Sequence, residues 1–107
     1  MFQQKIGGGN GQLPASEGQL YLCPVKTQGF IAAISLCNTA TGINTVKVYI
    51  RRSGSTSRRL VNQDFDAGDT YLGENLGILN EQDAIRGEAS NASKVDYDIT
   101  VREEATL

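Results

Sequence analysis

The sequence predicts an all-β domain, an antiparallel β-sandwich of the jelly-roll type, with an immunoglobulin-like sandwich as the alternative. Short β-type runs, each closed by a turn signal, fill residues 30–103. They recur about every 12 residues, which is the spacing of sandwiches and barrels. No segment carries an apolar 3.6-residue repeat longer than two turns, so we expect little helix.

Chain length and glycine content predict one domain preceded by an arm. The chain has 107 residues, enough to bury a single core. Residues 7–12 are rich in glycine, which is typical of a flexible tether. We therefore expect residues 1–12 to form a flexible arm and tether, and residues 13–107 to form the sandwich.

The first predicted strands follow from local patterns. A strand near residue 20 ends at Pro24, which suits an edge strand or a strand end. Residues 30–38 are apolar on both faces and therefore belong in the middle of a sheet. In residues 45–52, apolar and polar side chains alternate, which indicates a strand with one wet face. Residues 53–57 form a polar hairpin tip.

The second half of the chain continues the pattern. Strands are predicted at residues 58–65, 70–76 and 83–90, and residues 95–103 alternate most cleanly. Residues 76–79 are expected to cross the bottom of the sandwich. The side chains on the inward faces should form the core, namely Ile34, Leu36, Val48, Ile50, Leu79, Ile85, Tyr97, Ile99 and Val101.

Composition points away from catalysis, cofactors and membranes. The chain has no histidine, the commonest general base and transition-metal ligand, so we expect no enzyme and no cofactor. No apolar run is long enough to span a membrane, and no apolar signal core follows Met1. Folding in a cytoplasm is therefore expected. Cys23 and Cys37 lie in apolar runs and are expected to be reduced, with a disulfide left open.

Two groups of aspartates have alternative interpretations. Asp64, Asp66 and Asp69 resemble a fragment of a calcium loop, but the rest of an EF-hand is missing, so a β-turn is favoured. Asp96 and Asp98 lie at alternate positions of one strand among apolar residues. This pattern favours a solvated sheet face over a catalytic carboxylate pair.

Charge is unevenly distributed along the chain. The net charge is -2, yet residues 1–60 hold seven bases and one acid, and residues 61–107 hold eleven acids and three bases. If the two portions lie on different faces, copies can bind head to tail. If the strands mix the charges, the compensation is intramolecular.

Four arginines flank the predicted hairpin tip: Arg51, Arg52, Arg58 and Arg59. Because guanidinium groups stay charged, these residues either bind an acidic partner or make the tip soluble. A protein partner is preferred to nucleic acid, since the molecule is acidic and no aromatic residue lies among the arginines. The second candidate contact is the arm, which could add a strand to a neighbouring subunit. It comprises Met1, Phe2, Gln3, Gln4, Lys5 and Ile6.

The succession of turn and strand motifs resembles small β-sandwich virion proteins of tailed bacteriophages. A strand ending in an Asn turn, a Val-x-Val-Tyr strand and a Gly-Asp-Thr turn occur in the same order, and Gln82 departs by standing where glycine is common. The motifs occupy residues 21–24, 34–39, 46–50, 67–71, 82–85 and 95–101.

The resemblance implies a non-enzymatic capsid decoration or cement protein that is synthesised in the cytoplasm of the host bacterium and located in the virion. Its expected partners are further copies of itself, as a dimer or trimer, and the major capsid protein or another virion protein, with no nucleic acid or membrane. A tail, neck, baseplate or fibre adaptor is the alternative. A carbohydrate-binding module is disfavoured because the chain has no Trp and few other aromatics for a sugar platform.

Overall fold

Eight strands form the molecule in the computed structural model, which describes residues 4–106 and the side chains of residues 6–106. The short polar and glycine-containing segments between the apolar runs form the turns, as the sequence predicts. The strands are β1 (Gln4–Gln12), β2 (Gly18–Leu22), β3 (Thr27–Asn38), β4 (Asn44–Arg51), β5 (Ser57–Phe65), β6 (Thr70–Leu79), β7 (Ala84–Ala89) and β8 (Val95–Ala105).

The strands build two four-stranded antiparallel sheets. Sheet A has the order β1-β8-β3-β6, and sheet B has the order β2-β7-β4-β5. Except for the β4–β5 hairpin, each connection crosses from one sheet to the other. Eight strands in two sheets with these crossovers form a jelly roll. The predicted sandwich is therefore confirmed, and of its two forms the jelly roll is the one observed.

The core lies between the sheets and consists of the inward side chains of both. Seven of the nine predicted core residues are buried, and Ile50 and Tyr97 are partly buried against them. Ile50 lies near the turn of the β4–β5 hairpin. Tyr97 packs beneath Gly11, which has no side chain to cover the ring.

Strand β6 corrects the prediction for residues 76–79. These residues continue β6 to Leu79 and pair with β3, so they do not form a separate crossing segment. The strand tolerates a register shift because Asn75 and Gly77 both take positive φ, 53° and 130°. Leu76 still packs against the core, whereas Ile78 points outward and is 48% exposed.

The first described segment also differs from the prediction. Gln4–Gln12 pairs along its whole length with β8, as the edge strand of sheet A. Its glycines allow close approach: a Cβ on Gly8 would lie 2.0 Å from the Ile99 carbonyl oxygen, and one on Gly7 would overlap the Glu103 carboxylate. Glycine here permits pairing instead of flexibility, so the tether prediction is wrong for residues 4–12.

Replacing Ile99 with valine should lower the free energy of unfolding by about 1 kcal/mol. Ile99 is 2% exposed in the middle of β8, so the lost methylene leaves a small cavity. The same change at Ile43, which is 63% exposed, is the matched control and should have almost no effect. Denaturant unfolding measures both, and equal effects would contradict the face assignment of β8.

Candidate interaction surfaces

The outer face of sheet A is acidic, and we call it the acidic face. Outward positions alternate with the buried residues of β6 and β8, as the burial pattern shows. Four carboxylates occupy these positions against one guanidinium, that of Arg102. The carboxylates belong to Glu74, Asp96, Asp98 and Glu104. Asp96 and Asp98 are exposed, so the predicted solvated strand face is confirmed.

The acidic face also carries exposed apolar side chains. Ile6 lies opposite Arg102 in the β1–β8 ladder and is 69% exposed, and on β6 Leu72 is 63% and Ile78 48% exposed. The Arg102 guanidinium stacks 4.6 Å from the centroid of the half-buried Phe30 ring. Large exposed apolar groups on the same sheet face as carboxylates are typical of a surface that another molecule covers.

The outer face of sheet B carries four basic side chains. Lys47 and Arg51 point outward from β4, and the register places Arg86 and Arg59 on either side of Tyr49. Two of these bases have internal partners. Lys47 Nζ lies 3.8 Å from Glu88, and Arg86 Nε lies 2.6 Å from Glu17. Hydrogen bonds from Ser57 and Arg86 hold the pKa of Glu17 below its usual value.

The four arginines of the hairpin do not act as one group, which corrects the sequence interpretation. Arg52 donates to the Asp83 carboxylate at 2.8 Å and to the Ile78 carbonyl at 2.7 Å, and Arg51 Nε donates to the Ser55 carbonyl at 3.0 Å. Arg58 and Arg59 are exposed and form no ion pair within the described part of the chain. We call Arg51, Arg58 and Arg59 the arginine cluster.

The predicted arm is only partly described. Met1, Phe2 and Gln3 lie outside the described residues, whereas Gln4, Lys5 and Ile6 belong to β1. The backbone of β1 uses one side to pair with β8, and its other side is a sheet edge. An unpaired edge is a surface to which a further strand can be added.

The aspartates after β5 form a turn, as the sequence predicts. The Asp66 amide donates to the Asp69 carboxylate at 2.8 Å, and the Asp69 amide donates to the Asp66 carbonyl at 3.0 Å. Gly68 takes the positive φ of 80°. Asp64 lies on β5 and accepts a hydrogen bond from Thr45, so it belongs to a different local network. These bonds account for the cluster as a structural turn.

Glu103 is a buried acid that the sequence interpretation missed. It is 5% exposed and accepts a hydrogen bond from the hydroxyl of Tyr21, which belongs to the opposite sheet. Burial, followed by the effect of Glu103, raises the pKa of Tyr21 well above its usual value, so the phenol stays neutral. The alternation of the strand could have revealed it. Glu103 follows Ile99 and Val101 at alternate positions, so its side chain points to the same inward face of β8.

The described residues hold no group of His, Cys, Asp and Glu suited to a metal ion, and no helix long enough to cross a bilayer. Both cysteines are free. None of the aromatic rings in residues 6–106 is exposed. Tyr49 lies at an outward position of β4 but is only 8% exposed, and its hydroxyl donates a hydrogen bond to Glu88 at 3.0 Å. The described rings therefore offer no sugar-binding platform.

Comparisons with known proteins show similarity of fold only. No protein-family model and no curated protein sequence matches the chain. A structure of Bacillus endospore appendages, described as disulfide-linked pili, aligns with a TM-score of 0.61 at 11% identity, covering 99% of this chain and 89% of that one. A chain of infectious bursal disease virus, Gx strain, aligns with a TM-score of 0.53 at 9% identity. The alignment covers 98% of this chain and 33% of the viral chain. The shared feature is the antiparallel β-sandwich.

Proposed function

We propose that this protein is a non-enzymatic structural subunit of a bacteriophage virion that decorates the outer capsid surface and cements it. The observation that carries the proposal is a small jelly roll in which the outer face of sheet A exposes Ile6, Leu72 and Ile78 on the same face as four carboxylates. Such a face suits burial against protein. The similar structures also come from assemblies, a pilus and a virus.

Cementing would follow from many weak contacts made at once. A subunit of 107 residues can bury only a modest area at each capsomer joint. Copies that also bind one another gain affinity through multivalency, because each further contact is intramolecular once the first has formed. The proposed partners are therefore a second copy of this chain and the major capsid protein. The proposed contact residues are the arm, from Met1 to Ile6, and the arginine cluster. Arg52 is not included because it forms an ion pair with Asp83.

Cryo-electron microscopy of particles from the phage that encodes this chain tests the location. We expect jelly-roll density on the outer capsid surface, and particles lacking the chain should lose their genome at lower temperature than complete particles. Restoring the chain by adding purified protein is the control. Density on the tail, neck, baseplate or fibres would replace decoration by the adaptor role, and absence from the particles would overturn a virion role.

A further inference from the structure

We propose that copies of this chain bind one another head to tail, with the acidic face of one copy docked on the arginine cluster of the next. The inference rests on the self-association that the proposed function includes, and it specifies the two surfaces. The first observation is their position. The sheets of a sandwich pack face to face, so the outer faces of sheets A and B point in opposite directions.

The second observation is charge complementarity. Glu74 and Asp98 are exposed on the acidic face. On the other side, Arg59 lies opposite Tyr49 in the β4–β5 ladder, which places it on the outer face of sheet B with Arg51. Arg58 lies opposite Ile50 and is exposed at the edge of the same sheet. Oppositely charged surfaces attract each other before contact and fix the orientation of docking. Lys47, Arg52 and Arg86 are paired with acids of the same chain, so only the remaining charges, the carboxylates of the acidic face and the arginine cluster, are separated in space.

The apolar side chains decide which contact is favoured. Three of the six exposed large hydrophobic side chains in the described residues lie on the acidic face. Self-docking of two acidic faces would bury them but would also bring carboxylates against carboxylates, which is repulsive. Docking on the arginine cluster covers Leu72 and Ile78, which lie together on β6, and pairs the charges. The aliphatic stems of Arg51 and Arg59 can pack against Leu72 and Ile78 while the guanidinium groups reach the carboxylates.

A head-to-tail contact has a structural consequence. Each copy that uses its acidic face keeps its arginine cluster free, and the reverse also holds. The contact is therefore heterologous, and it continues until it closes into a ring or extends as a filament. Because the two surfaces point in opposite directions, a filament is favoured over a small ring, and a two-fold dimer through one face does not use this contact.

Charge reversal on each surface separately tests the inference. One variant carries E74K and D98K, which makes both surfaces basic, and the other carries R58E and R59E, which makes both acidic. We expect each variant alone to be monomeric in sedimentation velocity, while the wild type associates. Mixing the two variants should restore association, because each surface then meets one of opposite charge. Salt should weaken the wild-type association by about tenfold between roughly 50 and 500 mM, as screening shortens the range of the attraction.

The control variant D64K/D66K makes the same charge change away from the acidic face and should associate like the wild type. Loss of association in this control, or no restoration on mixing, would overturn the inference. An R58E/R59E variant that still forms dimers would show an isologous contact through the acidic face and would also overturn it. A second assay separates this inference from the proposed function. Monomers that still bind particles contradict only the head-to-tail contact, and assemblies that bind no particle contradict only the virion role.

Discussion

Replacing Asp83 with alanine is expected to lower the free energy of unfolding by roughly 2 to 4 kcal/mol. The Asp83 side chain is 5% exposed and joins three segments. Its carboxylate accepts hydrogen bonds from Arg52 at 2.8 Å, from the Ser53 amide at 2.8 Å and from the Asn80 amide at 2.9 Å. Alanine leaves these donors without their acceptor. The expected loss of stability is smaller than for a fully buried ion pair because Arg52 is half exposed.

The stabilisation that Asp83 provides should decrease as the pH falls. Burial alone would raise the pKa of Asp83, but hydrogen bonds from Ser53, Arg52 and Asn80 outweigh it and hold the pKa below its usual value. A group whose pKa falls on folding stabilises the protein above its unfolded pKa, about 3.9, and loses that contribution as pH falls through the folded pKa. The difference in free energy of unfolding between the wild type and D83N should therefore become smaller in acid.

Denaturant unfolding at neutral pH and in acid measures both effects. Asp66 supplies the control, because it is an exposed aspartate in another turn, and D66A should change stability by less than half as much as D83A. If D83A lowered the free energy of unfolding by no more than D66A, the contacts of Asp83 would not stabilise the fold. If the difference in free energy of unfolding between the wild type and D83N became larger in acid, the pKa of Asp83 would not be lowered by folding.

Replacing Gly8 with alanine is expected to release β1 from sheet A and to lower the free energy of unfolding by roughly 2 to 4 kcal/mol. A Cβ at Gly8 would lie 2.0 Å from the carbonyl oxygen of Ile99, which is backbone and cannot turn aside. Gly8 also has φ of 118°, a conformation that alanine rarely adopts. Both effects oppose pairing with β8.

Gly9 offers a closely matched control one residue away. A Cβ there would meet only the Leu20 carbonyl oxygen, at 3.9 Å, and φ is not positive, so G9A should be nearly neutral. Hydrogen exchange measures the result locally: G8A should lose protection along β1 and at the β8 amides that face it, while β4 and β7 in sheet B stay protected. Equal protection in G8A and G9A would show that β1 is not paired as observed.

The sequence determines the strand pattern because period-two alternation and turn residues act within a few neighbouring positions. Residues 45–52 and 95–103 alternate apolar and polar side chains, and the structure forms β4 and β8 there. Residues 30–38 are apolar on both faces, and β3 accordingly lies inside sheet A with a strand on either side. The core follows from the same alternation. These features need no knowledge of which strand lies beside which.

Only the tertiary structure decided which charges are free. Arg52 and Arg59 look equivalent in the sequence, but Asp83 lies 2.8 Å from Arg52, although 31 residues separate them, whereas Arg59 faces solvent. The glycine-rich β1 likewise predicts flexibility until the neighbouring Glu103 and Ile99 are known, since these leave no room for a larger residue. Pairing between distant segments depends on the jelly-roll crossovers, and local sequence patterns do not specify those contacts.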